Sequence, residues 1–339
     1  MVMRTVDWQA ILWFARNMRK ILILISAFAL LASPVLARDT GRIFVSNEKS
    51  HDIHVFDAEY NLIKKIATSR RPRDMKLNAA RTLLFVACGD DDIIDIIDVE
   101  TLEVVDGIPT GPSPEVFEFS LDERYMYVSN EEDSMMEIID LESRITIHNV
   151  PTGAEPEGLA LAPEGDVIYV TSEVADMVHV VDAAAGVVTD NIIVGTRPRR
   201  FVITPDTNEL WVSAELSSEI YVIDRASNEV TSVLEFLPPG FRPEDVTPVG
   251  MTLTRDGSVG LISLGRANHV AVIDAHSKEI IAYVLVGRRA WSVALTRDEK
   301  TAVVANGLSD DITLINMETY RPIRSIPVGR VPHTVVIDD

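Results

Sequence analysis

The chain has 339 residues, with 52 acidic against 31 basic side chains for a formal charge of −21, and a single cysteine. So acidic a protein has no electrostatic basis for holding nucleic acid or an anionic membrane as a whole, and the lone Cys88 excludes an internal disulfide framework. Stability must come from an apolar core, which a chain of this length can bury.

The first element in chain order is "MRKILILISAFALLASPVLA", Met18 to Ala37. It has a basic start at Arg19 and Lys20, an apolar run from Ile21 to Ala32, and Val35 and Ala37 at the −3 and −1 positions of a cleavage point, the layout of a secretory signal. A membrane span needs about 20 apolar residues, and this run is shorter and meets Pro34. The expectation is an exported, periplasmic protein whose mature domain covers residues 38–339, with Met18 a candidate start. Losing Arg4, Arg16, Arg19, Lys20 and Asp7 leaves 27 basic and 51 acidic residues, a net of −24.

From "RIFVSN" at Arg42 onward the chain is periodic. Prolines at 72, 114, 156, 198, 248 and 332 mark one phase with gaps of 42, 42, 42, 50 and 84, and Ala290 stands where the last gap would be halved. A second series, Asp57, Asp98, Asp140, Asp182, Asp224 and Asp274 with Asn316, runs in step with it. Each copy holds four short β-rich runs. In the copy after Pro156 these are "GLALA", "VIYVTS", "MVHVVD" and "GVVTDNIIV", separated by turn residues. Seven copies of four antiparallel strands predict an all-β, seven-bladed β-propeller. The chain begins at a second strand and ends with an extra first strand, "HTVVID", so the C-terminal strand is expected to complete the first blade and close the ring.

The phrases "YVSN" at Tyr127, "YVTS" at Tyr169 and "FVSN" at Phe44, each followed by an acid-ending strand and a proline loop, resemble the YVTN family of β-propeller repeats. Together with the export signal they are similar to the periplasmic propellers associated with pyrroloquinoline quinone (PQQ)-dependent catabolism. That resemblance implies a monomeric, non-catalytic binding or accessory protein, with PQQ a possible ligand and a quinoprotein alcohol dehydrogenase or its cytochrome c the implied partner. A propeller hydrolase similar to the lactonases is the alternative, and a surface or adhesion propeller a third reading.

The acid ring of Asp57 to Asp274 sits at the strand 3–4 turns, where a carboxylate accepts its own turn's N–H groups, so it is read as turn chemistry and not as a metal site. No histidine pair has zinc spacing, and Cys88 lacks a partner base, so no metal ligand or catalytic residue is assigned. The blade-to-blade loops are less uniform. They carry Arg70, Arg71 and Arg73, then Arg197, Arg199 and Arg200, Arg242, Arg288 and Arg289, and Arg330, with Trp291 and His333 in the same phase. In two consecutive loops acids replace them, at Glu115 and at Glu155 with Glu157. Two readings stand open: a rim of exposed ion pairs with Glu48, Glu131, Glu173 and Glu215, or a basic arc that recognises carboxylates of a ligand or partner. Phe236 and Phe241, in the insertion "EFLPPGFRPED", are candidate interface anchors or core residues.

Overall fold

The computed structural model describes residues 39–339, so the secretory signal read at 18–37 lies outside the described residues. Residues 39–339 form seven four-stranded antiparallel sheets. The innermost strand of each lies against the innermost strands of both neighbours around a closed cycle, which makes the sheets the blades of a propeller. Blade 1 combines Arg42–Asn47, Asp52–Phe56 and Leu62–Ala67 with the C-terminal Pro332–Asp338. Ile43 pairs with Ile337, Phe44 with Val336 and Val45 with Val335, so the last strand closes the ring as the sequence predicts. Blades 2 to 7 span 72–109, 114–151, 156–193, 198–235, 248–285 and 290–327.

Strand composition follows position in the blade. Second and third strands are covered on both faces by adjacent blades, so "VIYVTS" is buried at all but its first residue and reads as a continuous apolar run. Outer strands such as Val187–Ile193 are mostly exposed. In the described residues the core divides into seven clusters, each shared by two neighbouring blades. Phe44, Ile53 and Val55 of blade 1, for example, meet Met75, Leu84 and Val86 of blade 2. Each such side chain contributes about 1.5–3 kcal/mol of burial, and no blade can bury its faces alone.

The phase prolines are themselves the first residues of the inner strands, two residues earlier than the apolar run "GLALA" suggests. The pattern is hidden by a bulge: Pro156 pairs with Ser172 and Leu159 with Val170, so Glu157 and Gly158 oppose the single Thr171. Gly158 is required there, because a Cβ would meet the backbone oxygen of Arg199 at 2.0 Å.

The serine or threonine of the "VSN" and "VTS" phrases also has a structural role. Ser46 Oγ donates to the Arg73 carbonyl at 2.8 Å, Ser129 Oγ to that of Glu157 at 2.8 Å and Ser263 Oγ to that of Trp291 at 2.8 Å. A hydroxyl at the top of each of these strands thus pins the next blade's inner strand just after its proline. The acid ring behaves as turn chemistry: Asp182 Oδ1 accepts from Ala184 N and Ala185 N, Asp98 Oδ1 from Glu100 N and Thr101 N, and Asn316 Oδ1 from Thr319 N. Phe236 is buried in the cluster between blades 5 and 6, and Phe241 packs on its edge against the His269 ring, so the insertion's aromatics serve the core. Among the described residues no helix is long and apolar enough to cross a membrane.

Candidate functional site at the neck of the channel

The position after each phase proline lies in the bulge at the end of the inner strand, on the face of the blade-to-blade loops. Around the ring it holds Arg73, Glu115, Glu157, Arg199, Val249, Trp291 and His333. All are buried except Trp291, which is partly exposed. The residue before the proline adopts a left-handed backbone in six of the seven loops: Arg71, Ser113, Glu155, Arg197, Arg289 and Val331 have φ between 55° and 62°. Glycine would take this conformation without steric cost. Three of the six positions carry arginine instead, and each of those amides is held by the preceding strand 2–3 loop: Arg71 N donates to His51 Nδ1, Arg197 N to Asp176 Oδ1 and Arg289 N to Asn268 Oδ1.

These arginines turn inward onto the glutamates of the ring and of the strand 2–3 loops. Arg71 lies 2.8 Å from Glu115, 3.3 Å from Glu48 and 3.4 Å from Glu131. Arg73 binds Glu115 and lies 3.7 Å from Glu157. Arg200 meets Glu157 at 2.7 Å, while Arg197 meets Glu173 at 2.7 Å. Arg199 binds Glu173 and lies 3.6 Å from Glu215, which Arg289 reaches at 2.7 Å. The basic and acidic arcs of the sequence therefore interlock into one network. The exposed-rim reading needs correcting: Arg199 is 3% exposed and Glu157 1%, so the central pairs are buried.

Burial costs these charges solvation, which only the pairing offsets. Burial works to raise the Glu157 carboxyl, but Arg199, Arg200 and Arg73 outweigh it and hold the group well below its ordinary range. Burial likewise works to lower Arg199, and Glu157, Glu173 and Glu215 keep it above its usual value. Arg289 is lowered, by burial first and then by Arg199 and Arg266. Burial raises Glu173, and Glu157 adds to the shift. His333 is pushed well below its ordinary value by burial and by Arg73 and Arg200, so it is neutral at pH 7. Glu115, Glu131 and Glu157 approach within 4.8 Å of one another, a spacing a cation could use. The guanidiniums of Arg71 and Arg73 already supply that charge.

Trp291 joins the network to open space. Its ring lies 4.6 Å from the Arg289 guanidinium carbon, 5.2 Å from that of Arg199 and 5.5 Å from the His333 ring. It lines a cavity of about 510 Å³ at the mouth of the channel, with Glu48, Arg266, Arg288, Arg289, Leu308 and Val331 among the other walls. A second cavity of about 140 Å³ shares Trp291 with it and is lined also by His333, Arg200, Asp74 and Ser292. Two polar atoms on the residues around that cavity, His333 Nε2 and Ser292 Oγ, are buried without a protein partner.

Of the sequence candidates, Arg71, Arg73, Arg197, Arg199, Arg200, Arg289, Trp291 and His333 come together here. Arg288 lines the mouth cavity. Arg70 is engaged outside the network with Asp91, and Arg242 within its own insertion by Glu244 and Asp245. Arg330 is exposed, its amide donating to Ser50 Oγ. Sequence reasoning passed over Arg266, which follows the strand 2–3 glycine at the phase of Lys49 and Leu308 and is visible only once the copies are aligned.

The family model of lactonase, 7-bladed β-propeller, matches residues 109–241. That stretch contains Glu115, Glu131, Glu157, Glu173, Arg197, Arg199, Arg200 and Glu215, most of the network. Among curated proteins no match to the chain is found. Among solved structures, the chain is similar to a periplasmic gluconolactonase of Pseudomonas aeruginosa, with 16% identity over 87% of this chain and 98% of that one and a TM-score of 0.74. It is also similar to hydrazine synthase of Kuenenia stuttgartiensis, with 20% identity over 82% and 93% and a TM-score of 0.74. A third is a dihydro-heme d1 dehydrogenase, with 14% identity over 89% and 76% and a TM-score of 0.68. At these identities the likeness is one of fold.

The expectation of a non-catalytic accessory protein of PQQ-dependent catabolism is corrected by these findings. The family model that matches is that of the lactonases, the alternative in the sequence reading, and the matched stretch 109–241 contains most of the charged network. The misreading arose because strand phrases such as "YVSN" report blade packing, which propellers of many functions share.

Proposed function

We propose that this propeller hydrolyses a lactone at the neck of its channel. The observation that carries the reading is that the lactonase match covers the blades that supply most of the buried arginine–glutamate network beside the open mouth cavity. Opening a lactone needs a base to take a proton from water as it adds to the ring carbonyl, and a cation to hold the oxygen that becomes negative. The ring C–O bond then breaks, its oxygen takes up the proton, and a hydroxy acid leaves.

Glu215 suits the base. Arg289, on the cavity wall, fixes its Oε1 at 2.7 Å, while its buried Oε2 has no hydrogen-bond partner and lies 3.6 Å from Arg197 and Arg199. Arg289 suits the cation. Both are fixed before substrate arrives, so little reorganisation is needed as charge develops. Export to the periplasm, argued from residues 18–37, belongs to the same proposal; terminal sequencing of the exported protein is expected to begin at Arg38.

The test is turnover of a panel of γ- and δ-lactones by the purified protein, followed as acid release. Glu215→Gln keeps the shape and removes the base, and is expected to lower kcat by about 10²–10⁴ with a much smaller change in KM. No turnover by the parent, or an unchanged kcat in a folded Glu215→Gln variant, would remove the proposal.

A further inference from the structure

We infer that the mouth cavity takes a lactone bearing a carboxylate on an apolar body, and discriminates against a polyhydroxylated sugar ring; the inference rests on the hydrolase reading. The walls of the cavity are of two kinds. Arg289 is engaged by Glu215, and Glu48 by Arg71. Arg266 and Arg288 are exposed, and among the described residues neither has a carboxylate within 4.0 Å. Their backbones are fixed, with Arg266 N donating to Thr247 Oγ1 and Arg288 N to Ser309 Oγ, each at 2.8 Å. Two uncompensated guanidiniums on the walls of one cavity offer charged donors to a carboxylate that enters it. In a chain this acidic they are also a local exception that steers anions to the mouth.

The other wall is apolar. Leu308 is 59% exposed, and its amide donates to the Arg288 carbonyl at 2.9 Å, so the leucine and the free cation are tied side by side. Val331 and Trp291 extend the surface. A sugar lactone would bring several hydroxyls against it, each needing a partner once water is excluded. Asn268 is the one uncharged amide side chain on the walls, and its Oδ1 already accepts from Arg289 N. An apolar body leaves no such group stranded.

Binding of benzoate, gluconate and benzyl alcohol separates the determinants: charge with an apolar body, charge with a polyol, and an apolar body alone. In residues 39–339 the tryptophans are the fully buried Trp211 and the cavity's Trp291, so intrinsic fluorescence reports this site, with calorimetry for affinity. Benzoate is expected to bind at least about tenfold tighter than either other probe. The surface substitutions Arg266→Gln and Arg288→Gln together should remove that advantage and most of its salt dependence. Equal affinity for gluconate, or a double variant that binds benzoate as the parent does, overturns the inference. A protein that binds benzoate through these arginines yet opens no lactone keeps the ligand class and removes the hydrolase reading. One that opens glucono-δ-lactone as fast as a carboxylated alkyl lactone keeps the hydrolase and overturns the ligand class.

Discussion

Two rings of polar residues run around this propeller, one on each face, and they differ in what repetition has done to them. At the strand 3–4 turns the chain places Asp57, Asp98, Asp140, Asp182, Asp224, Asp274 and Asn316, and each side chain closes its own turn. After the phase prolines it places Arg73, Glu115, Glu157, Arg199, Val249, Trp291 and His333, where no residue repeats through three consecutive blades. The first ring answers a local need that every blade has, so one residue type suffices. The second sits where seven blades converge, and each side chain must match neighbours contributed by other blades. In a tandem fold, constancy at a phase reports the scaffold and variation at a buried phase reports a site.

The comparison breaks most visibly if a neck charge is removed. Glu157→Ala leaves Arg73, Arg199 and Arg200 facing a buried gap, and denaturant unfolding should show a loss of about 3–5 kcal/mol. Asp182→Ala leaves two turn amides that water can reach, and should cost about 0.5–1.5 kcal/mol. Equal losses from the two would erase the distinction between a shared network and a local turn.

Acid sharpens it further. His333 has its folded pKa below the unfolded value, so between the two the unfolded chain binds more protons, and stability falls as pH drops below about 6.5. The slope for this one group is up to about 1.4 kcal/mol per pH unit, and His333→Gln should flatten the stability profile between pH 6.5 and 5. Glu157 acts at lower pH. Its folded pKa is depressed, so its contribution is complete above about 4.5 and is lost as pH falls toward the folded value. A His333→Gln profile parallel to the parent's would place the histidine in contact with water. The smallest effect is expected at Arg242, whose ion pairs lie on the exposed insertion. Arg242→Gln should stay within about 0.5 kcal/mol of the parent and leave benzoate binding unchanged.

Blade count, strand order and ring closure were legible in the sequence because they depend on local periodicity: prolines and aspartates recur at fixed offsets, and a spare inner strand ends the chain. The arginines of the loops were legible as a set for the same reason. What could not be read was their pairing. Arg71 reaches Glu115 across 44 positions and Arg289 reaches Glu215 across 74, contacts set by which blades adjoin around the channel. The bulge after each proline, which brings the neck ring into being, breaks the alternation by which strands are recognised. The sequence by itself determined the scaffold, since every blade repeats the same local forces. Only the tertiary structure decided which charges are buried, which are neutralised and which, at Arg266 and Arg288, remain free, because burial and neutralisation belong to the assembled ring and to no single blade.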